Sequence, residues 1–295
     1  MKIKTSKKII SLVLCLSMVM SLVTTAFAAE SSNGYITAYG VVLDFNPANE
    51  NILDALSRAN PLIDLSKAVV TEEVDSLGNV IYVVETAKRE VFNEATLADI
   101  APAFLDDPMA NAQLIGNTLT YTLPDGTLGT IVETIDQFDR RTLKVTEGEL
   151  TNEIIFDSAN NQILVDGETT VTYLNDVFVI QQNMSARWSP QWTFFMQTNV
   201  DLRAQQAISL LTVATIVAIV SAALTRNISI GVGIGTAIRE AYQRMRPQHD
   251  QVYITRRMYH DPMWIEWRYV DSFYTWNART ATQRITSRTL FLTAS

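Results

Sequence analysis

The sequence predicts an α+β fold: an acidic β-rich front domain, a central apolar helical hairpin, and an aromatic, arginine-rich β end. Three observations predict it. Short alternating apolar runs, punctuated by turn residues, fill the first half of the chain. A stretch from Ala204 to Ile238 carries a single charge, Arg226. Beyond it, tyrosine, tryptophan and arginine interleave.

The first 28 residues read as an export leader. Lys2, Lys4, Lys7 and Lys8 form a basic start, Ile9 to Val23 an apolar segment, and Ala26-Phe27-Ala28 a small-residue cleavage site. Cleavage after Ala28 would make Ala29 the mature start and give a secreted protein. The apolar segment is too short for a spanning helix. Cys15, the sole cysteine, lies inside it. The mature chain is therefore expected to have no disulfide and no thiolate metal site, and to depend on packing alone.

The front domain, residues 29–185, reads as mixed α and β. Asn51 to Arg58 predicts a short helix after Asn46-Pro47, stopped by Pro61, and Thr96 to Phe104 predicts another that closes near Pro108. Gly78-Asn79 precedes a strand from Val80 to Thr86. Pro124-Asp125-Gly126 separates Leu119 to Leu123 from Leu128 to Ile135 as a hairpin turn does. Leu143 and Val145 alternate with Lys144 and Thr146, Gly148 interrupts, and Glu153 to Phe156 resumes. Asn160-Asn161 and Asp166-Gly167 then set off Gln162 to Val165 and Thr169 to Tyr173. This is the pattern of an antiparallel meander.

The second domain, residues 186–295, begins with the expected hairpin at about 204–246. Ala207 to Leu224 is an 18-residue run whose only polar members are Ser209, Thr212, Thr215 and Ser221. That length just permits a membrane span. Leu210, Val213, Val217, Val220 and Leu224 recur at helical spacing and form the candidate membrane-inserting stripe. Ala214, Ala218 and Ala222 make a small-residue ridge that suits a membrane interface or the central helix of a soluble core. After Arg226-Asn227 comes Ile228 to Ile238 with Gly231, Gly233 and Gly235. Ala237, Ile238, Ala241, Tyr242 and Met245 then line one face of an amphipathic helix. Arg226 at the hairpin tip could reach lipid headgroups or sit against a core.

The tail predicts strands over Val252 to Tyr259, Trp264 to Val270 and Phe273 to Trp276, with a turn at His260-Asp261-Pro262. Arg256, Arg257, Trp264, Trp267, Arg268 and Trp276 form a candidate membrane-interface set, because amphipathic rings and arginine favour that boundary. Packing of the same sheet face over the hairpin is the alternative. Charge divides along the same line. Residues 29–185 hold 25 acids and 7 bases, a formal −18; the remainder holds 6 acids and 12 bases, a formal +6, and every one of those bases is arginine. Such a split suits two functional regions, or two parts of one fold that attract each other.

Catalytic signals fail in turn. His249-Asp250 and His260-Asp261 contain the only histidines, without the spacing of a zinc helix. Gly231, Gly233 and Gly235 match no dinucleotide fingerprint and ease a turn or a close approach instead. No nucleophile elbow occurs, and Asp106-Asp107 and Glu72-Glu73 read as acidic surface. No enzyme activity, cofactor or metal is expected, and the acidic front disfavours nucleic acid.

The leader, the segment Arg140-Arg141-Thr142-Leu143-Lys144-Val145-Thr146-Glu147-Gly148 running on to Ile163-Leu164-Val165-Asp166-Gly167, the apolar stretch 204–238 and the aromatic tail together resemble large secreted geobacillin-type bacteriocins of Gram-positive bacteria. The resemblance implies a ribosomally made antibacterial protein with no assigned enzymatic centre, so it carries over no site residues. The expected function is antimicrobial action at the membrane or envelope of a target cell through insertion of the hairpin. The alternative is a secreted, non-enzymatic binding module whose hairpin stays in the core.

Overall fold

The protein is described by a computed structural model over residues 35–37, 42–43, 51–59, 63–74, 80–182, 192–224, 230–245, 249–261, 266–276 and 278–293. The expected export leader, Pro61, Arg226, Trp188 and Trp264 lie outside the described residues.

The elements run β1 Tyr35–Thr37, β2 Val42–Leu43, α1 Ile52–Ala59, β3 Val69–Val74, β4 Val80–Glu85, β5 Arg89–Val91, α2 Leu97–Ile100, α3 Pro102–Leu105 and β6 Gln113–Ile115. Next come β7 Thr118–Thr122, β8 Leu128–Ile135, β9 Arg141–Glu147, β10 Leu150–Asp157, β11 Gln162–Val165, β12 Glu168–Gln182 and β13 Thr193–Ala204. The helices α4 Val213–Leu224 and α5 Val232–Gln243 follow, then β14 Gln251–Asp261, β15 Glu266–Tyr274 and β16 Arg284–Thr293. The fold is mixed α+β, dominated by antiparallel sheet.

From β6 to β16 every strand lies beside its neighbour in sequence, a continuous meander. Local chemistry makes these turns. Between β11 and β12, Asp166 and Gly167 both take the left-handed conformation, φ 51° and 83°, which a two-residue hairpin needs to match strand twist. The long strand β12 is the spine: one edge pairs in succession with β11, β5 and β4, and the other with β13 and β1. Strands on either side of Ser185 therefore belong to one sheet, since Thr170 to Val177 pair with Ala204 to Gln197.

Alternation sends one face of the meander toward the helices. Leu119, Ile131, Leu143, Val145, Ile154, Phe156, Val200, Leu202, Val252, Ile254 and Phe273 are buried with α4 and α5 in one cluster. A smaller cluster gathers Ile52, Ala55 and Leu56 of α1 against Val84, Phe178 and Ile180. At the start of α2, Thr96 and Asp99 form a reciprocal capping box, with Asp99 N–H donating to Thr96 Oγ1 and Thr96 N–H to Asp99 Oδ2.

Several expectations are corrected. Ala204 ends strand β13, paired with Thr170, and the helix starts only at Val213. Leu210 sits in a short 3₁₀ turn and is 61% exposed, off the helical stripe it was expected to join. Unbroken apolarity did not extend the helix backward, because Thr212 caps it: its Oγ1 accepts the N–H of Thr215 at 3.1 Å. Phe273 belongs to the same strand as Trp267, and β13 and β16 are strands the apolar pattern did not announce.

Candidate functional site

The expected membrane-inserting residues Val213, Val217, Val220 and Leu224 are buried on α4, as is every residue of that helix except Ser221. Gly235 of α5 brings the two helices together. A Cβ there would lie 2.8 Å from Val217 Cγ2 and 3.0 Å from Val213 Cγ1, so only glycine permits the approach. Among the described residues no helix is long and apolar enough to cross a membrane. The 12 residues of α4 rise about 18 Å, against a hydrocarbon core of about 30 Å.

Buried charges hold α4 at both ends. At its N-terminus Val213 N–H donates to Glu147 Oε2 at 2.8 Å and Ala214 N–H to Glu147 Oε1 at 2.9 Å. The Tyr121 hydroxyl donates to the same carboxylate at 2.7 Å, and Arg239 Nη1 lies 3.4 Å from it. Beside it, Asn152 Oδ1 accepts from Thr212 N–H at 2.8 Å and from the Thr215 hydroxyl at 3.2 Å. Tyr121, Gly129 and Glu147 are cross-strand neighbours in three successive strands. Glycine in the middle is required, because a Cβ there would fall 2.2 Å from the Tyr121 ring that crosses it to reach Glu147. Burial, then the charge of Glu147, pushes the Tyr121 phenol far above its ordinary pKa.

At the other end Arg256 Nη1 donates to the carbonyl of Leu224 at 2.6 Å. Its Nε and Nη2 grip both oxygens of Asp271, at 2.8 and 3.0 Å, and Arg288 Nε donates to Asp271 Oδ2 at 2.9 Å. Burial would raise the Asp271 carboxyl, but the hydrogen bond and charge of Arg256, with Arg288, hold it below the usual carboxylate range. The helix thus meets an anion at its positive N-terminal end and a cation at its negative C-terminal end, the signs that stabilise a helix dipole. Glu147 on β9 and Arg256 on β14 are separated by four intervening strands of the sheet, about 24 Å at ~4.8 Å spacing, so α4 runs across strands rather than along one.

The expected interface set divides between two faces. Arg256 is 5% exposed and faces the helices, a correction to its expected place at a lipid boundary. Trp267, half-buried, packs against Met258 and Tyr269. Arg257 points outward, its Nε donating to Gln197 Oε1 at 3.0 Å. Arg268 stacks 4.4 Å from the Tyr259 ring and 5.4 Å from Trp192, while Trp276 is exposed. Strand alternation puts neighbours on opposite sides, so these residues present no common aromatic belt.

The outer face carries a second constellation that sequence reading missed. A cleft of about 410 Å³ is lined by Lys88, Tyr173, Asp201, Arg203, Gln251 and Tyr253. Register puts Tyr173, Asp201 and Tyr253 in one row across β12, β13 and β14. Asp201 is held by Lys88 at 2.5 Å and by Arg279, whose guanidinium also lies 5.5 Å from the Tyr253 ring. The Gln251 amide sits between the Tyr253 hydroxyl and the Arg203 guanidinium. These residues come from positions 88 to 279, and no local pattern links them. Among the described residues no group of three His, Cys, Asp or Glu side chains is placed to hold a metal ion.

The fold and these sites define a class: a meander sheet with a charge-clamped helical hairpin on one face and a polar, aromatic cleft on the other. No protein-family model matches the chain, and no curated protein or solved structure matches it.

Proposed function

We propose that the protein is secreted and acts as a non-enzymatic binding protein at the bacterial cell envelope, with the hairpin as permanent core and the outer sheet face as working surface. The observation that carries this reading is the double clamp on α4. Withdrawing that helix would strand the buried Glu147 carboxylate without its two helix amides, which costs several kcal/mol for an uncompensated charge, and would leave one Arg256 donor unmet beside Asp271. The leader-like residues 1–28 support export. The layout shared with secreted bacteriocins supports the envelope of a competing cell as the setting and antibacterial action as the consequence.

The test uses protein lacking residues 1–28. It is expected to sediment with isolated Gram-positive envelopes, to slow growth of such cells, and to release no dye from anionic vesicles. Failure to bind any envelope fraction would overturn the reading.

Insertion of the hairpin is the second reading, and one observation favours it: α4 is apolar all round, as membrane helices are. Dye release that weakens with rising salt would support it, since exposed charges are screened beyond about 8–10 Å near physiological ionic strength. A blue shift of Trp267 and Trp276 fluorescence would accompany it.

A further inference from the structure

We propose that the outer cleft over β12, β13 and β14 binds an extended glycan whose sugar rings carry acid groups. This deepens the envelope-binding reading and rests on it.

Four features lead there. The cleft, about 410 Å³, falls in the range of ligand sites, about 300–1,000 Å³. Its polar groups are already tied together: Lys88 and Arg279 share Asp201, and Arg203 and Tyr253 flank the Gln251 amide. A ligand therefore meets donors and acceptors whose rotamers are restrained before binding, which lowers the entropy cost of association.

The rings set the shape of the ligand. Tyr173 and Tyr253 stand in the same cross-strand row with Asp201 between them, so their backbones are about 10 Å apart, twice the strand spacing. That is too wide to sandwich one flat ring and suits successive rings of a chain laid across the strands. Tyr173 is 37% exposed and offers its ring to the apolar face of a sugar.

Charge sets the chemistry. Lys88, Arg203 and Arg279 outnumber Asp201 in a protein that is otherwise strongly acidic. Asp201 is already neutralised by two cations, whereas Arg203, exposed, gives Nε and one Nη2 hydrogen to the Gln251 amide oxygen and keeps its outer Nη1–Nη2 edge for a ligand. A guanidinium recognises carboxylate or phosphate through paired donors. Glu90, exposed and opposite Tyr173 in the β5–β12 register, puts a negative charge at the other end. The acid group of the ligand therefore sits beside Arg203, which reaches toward Gln251 on β14 and away from Glu90, and a neutral ring lies over Tyr173.

Titration calorimetry tests this with four probes on protein lacking residues 1–28: a glucuronate-containing oligosaccharide, an N-acetylglucosamine oligomer joined by phosphodiesters, a neutral N-acetylglucosamine oligomer of equal length, and inorganic phosphate. One or both acidic polymers are expected to bind, and which one does so identifies carboxylate or phosphate as the source of the charge. The neutral oligomer is expected to bind at least tenfold more weakly, and phosphate alone to give no measurable heat. Arg203→Gln should reduce the acidic ligand to the level of the neutral one. Tyr173→Ala should abolish binding, and Tyr173→Phe should retain it, with unchanged thermal melting of all three variants confirming the fold. Equal binding of acidic and neutral oligomers, or binding indifferent to Arg203→Gln and Tyr173→Ala, overturns the proposal. If wild-type protein sediments with envelopes but binds no acidic polymer, the glycan assignment fails while the envelope-binding reading stands.

Discussion

Arg256 and Arg257 are adjacent on one strand, carry the same charge, and end in different surroundings. Arg256 faces the helices, locked to Asp271 and to the carbonyl end of α4; Arg257 faces outward and donates to the Gln197 amide. The difference teaches that in this protein charge is used in two ways. On the helix-covered face it positions an apolar helix by its ends. On the outer face it is left accessible to other molecules.

The sharpest way to break that comparison is Arg256→Leu. It leaves Asp271 buried with one partner fewer and the C-terminus of α4 without its donor, and a loss of about 3–5 kcal/mol is expected in urea unfolding. Loss below about 1 kcal/mol would mean that the clamp does not hold the helix. Glu147→Ala tests the other end: it orphans two helix amides and the Tyr121 hydroxyl, and about 1.5–3 kcal/mol should be lost.

Gly235→Ala tests the close approach of the two helices. The added methyl meets Val217 and Val213 at 3.0 Å or less, and the overpacking cost of about 1–3 kcal/mol exceeds the helix-propensity gain of about 1 kcal/mol. A small net loss in melting temperature is expected. Arg257→Gln should change stability by no more than about 0.5 kcal/mol, as exposed substitutions do.

The pH profile sharpens the same contrast. Asp271 is held below its ordinary pKa when folded. Its stabilisation is therefore complete above the unfolded value, about 3.9, and is lost as pH falls through the lower folded value. Thermal melts of the wild type should drop steeply below about pH 4. Arg256→Leu should flatten that drop, and an unchanged acid limb would show that the triad does not govern it. Tyr121 works at the opposite limit: its phenol is raised when folded, so stability should decline as pH rises past about 10, where the unfolded chain ionises.

Much of the meander was legible. Pro124-Asp125-Gly126, Gly148, Asn160-Asn161 and Asp166-Gly167 occupy the turns where the pattern put them, since turn chemistry is local. The short helix at 52–59 was legible for the same reason, whereas the single helix expected over Thr96 to Phe104 forms as two short ones, Leu97–Ile100 and Pro102–Leu105. The charge clamp left a signal that went unread. Glu147 is in phase with Leu143 and Val145, Arg256 with Val252 and Ile254, and Asp271 with Tyr269 and Phe273. An ionisable residue at an inward position of a strand must find a buried partner. The cleft left no such signal, because its members are ordinary outward residues until register brings them together.

The sequence by itself determined the type and order of most elements, the turns between them, and the near-total apolarity of α4. These depend on residues a few positions apart. Only tertiary structure decided where that helix begins, that Arg256 lies inside while Arg257 lies outside as a partner to Gln197, and that Lys88, Asp201 and Arg279 meet. Those facts depend on long-range register and on which buried groups satisfy each other, and both arise only when the sheet assembles around the hairpin.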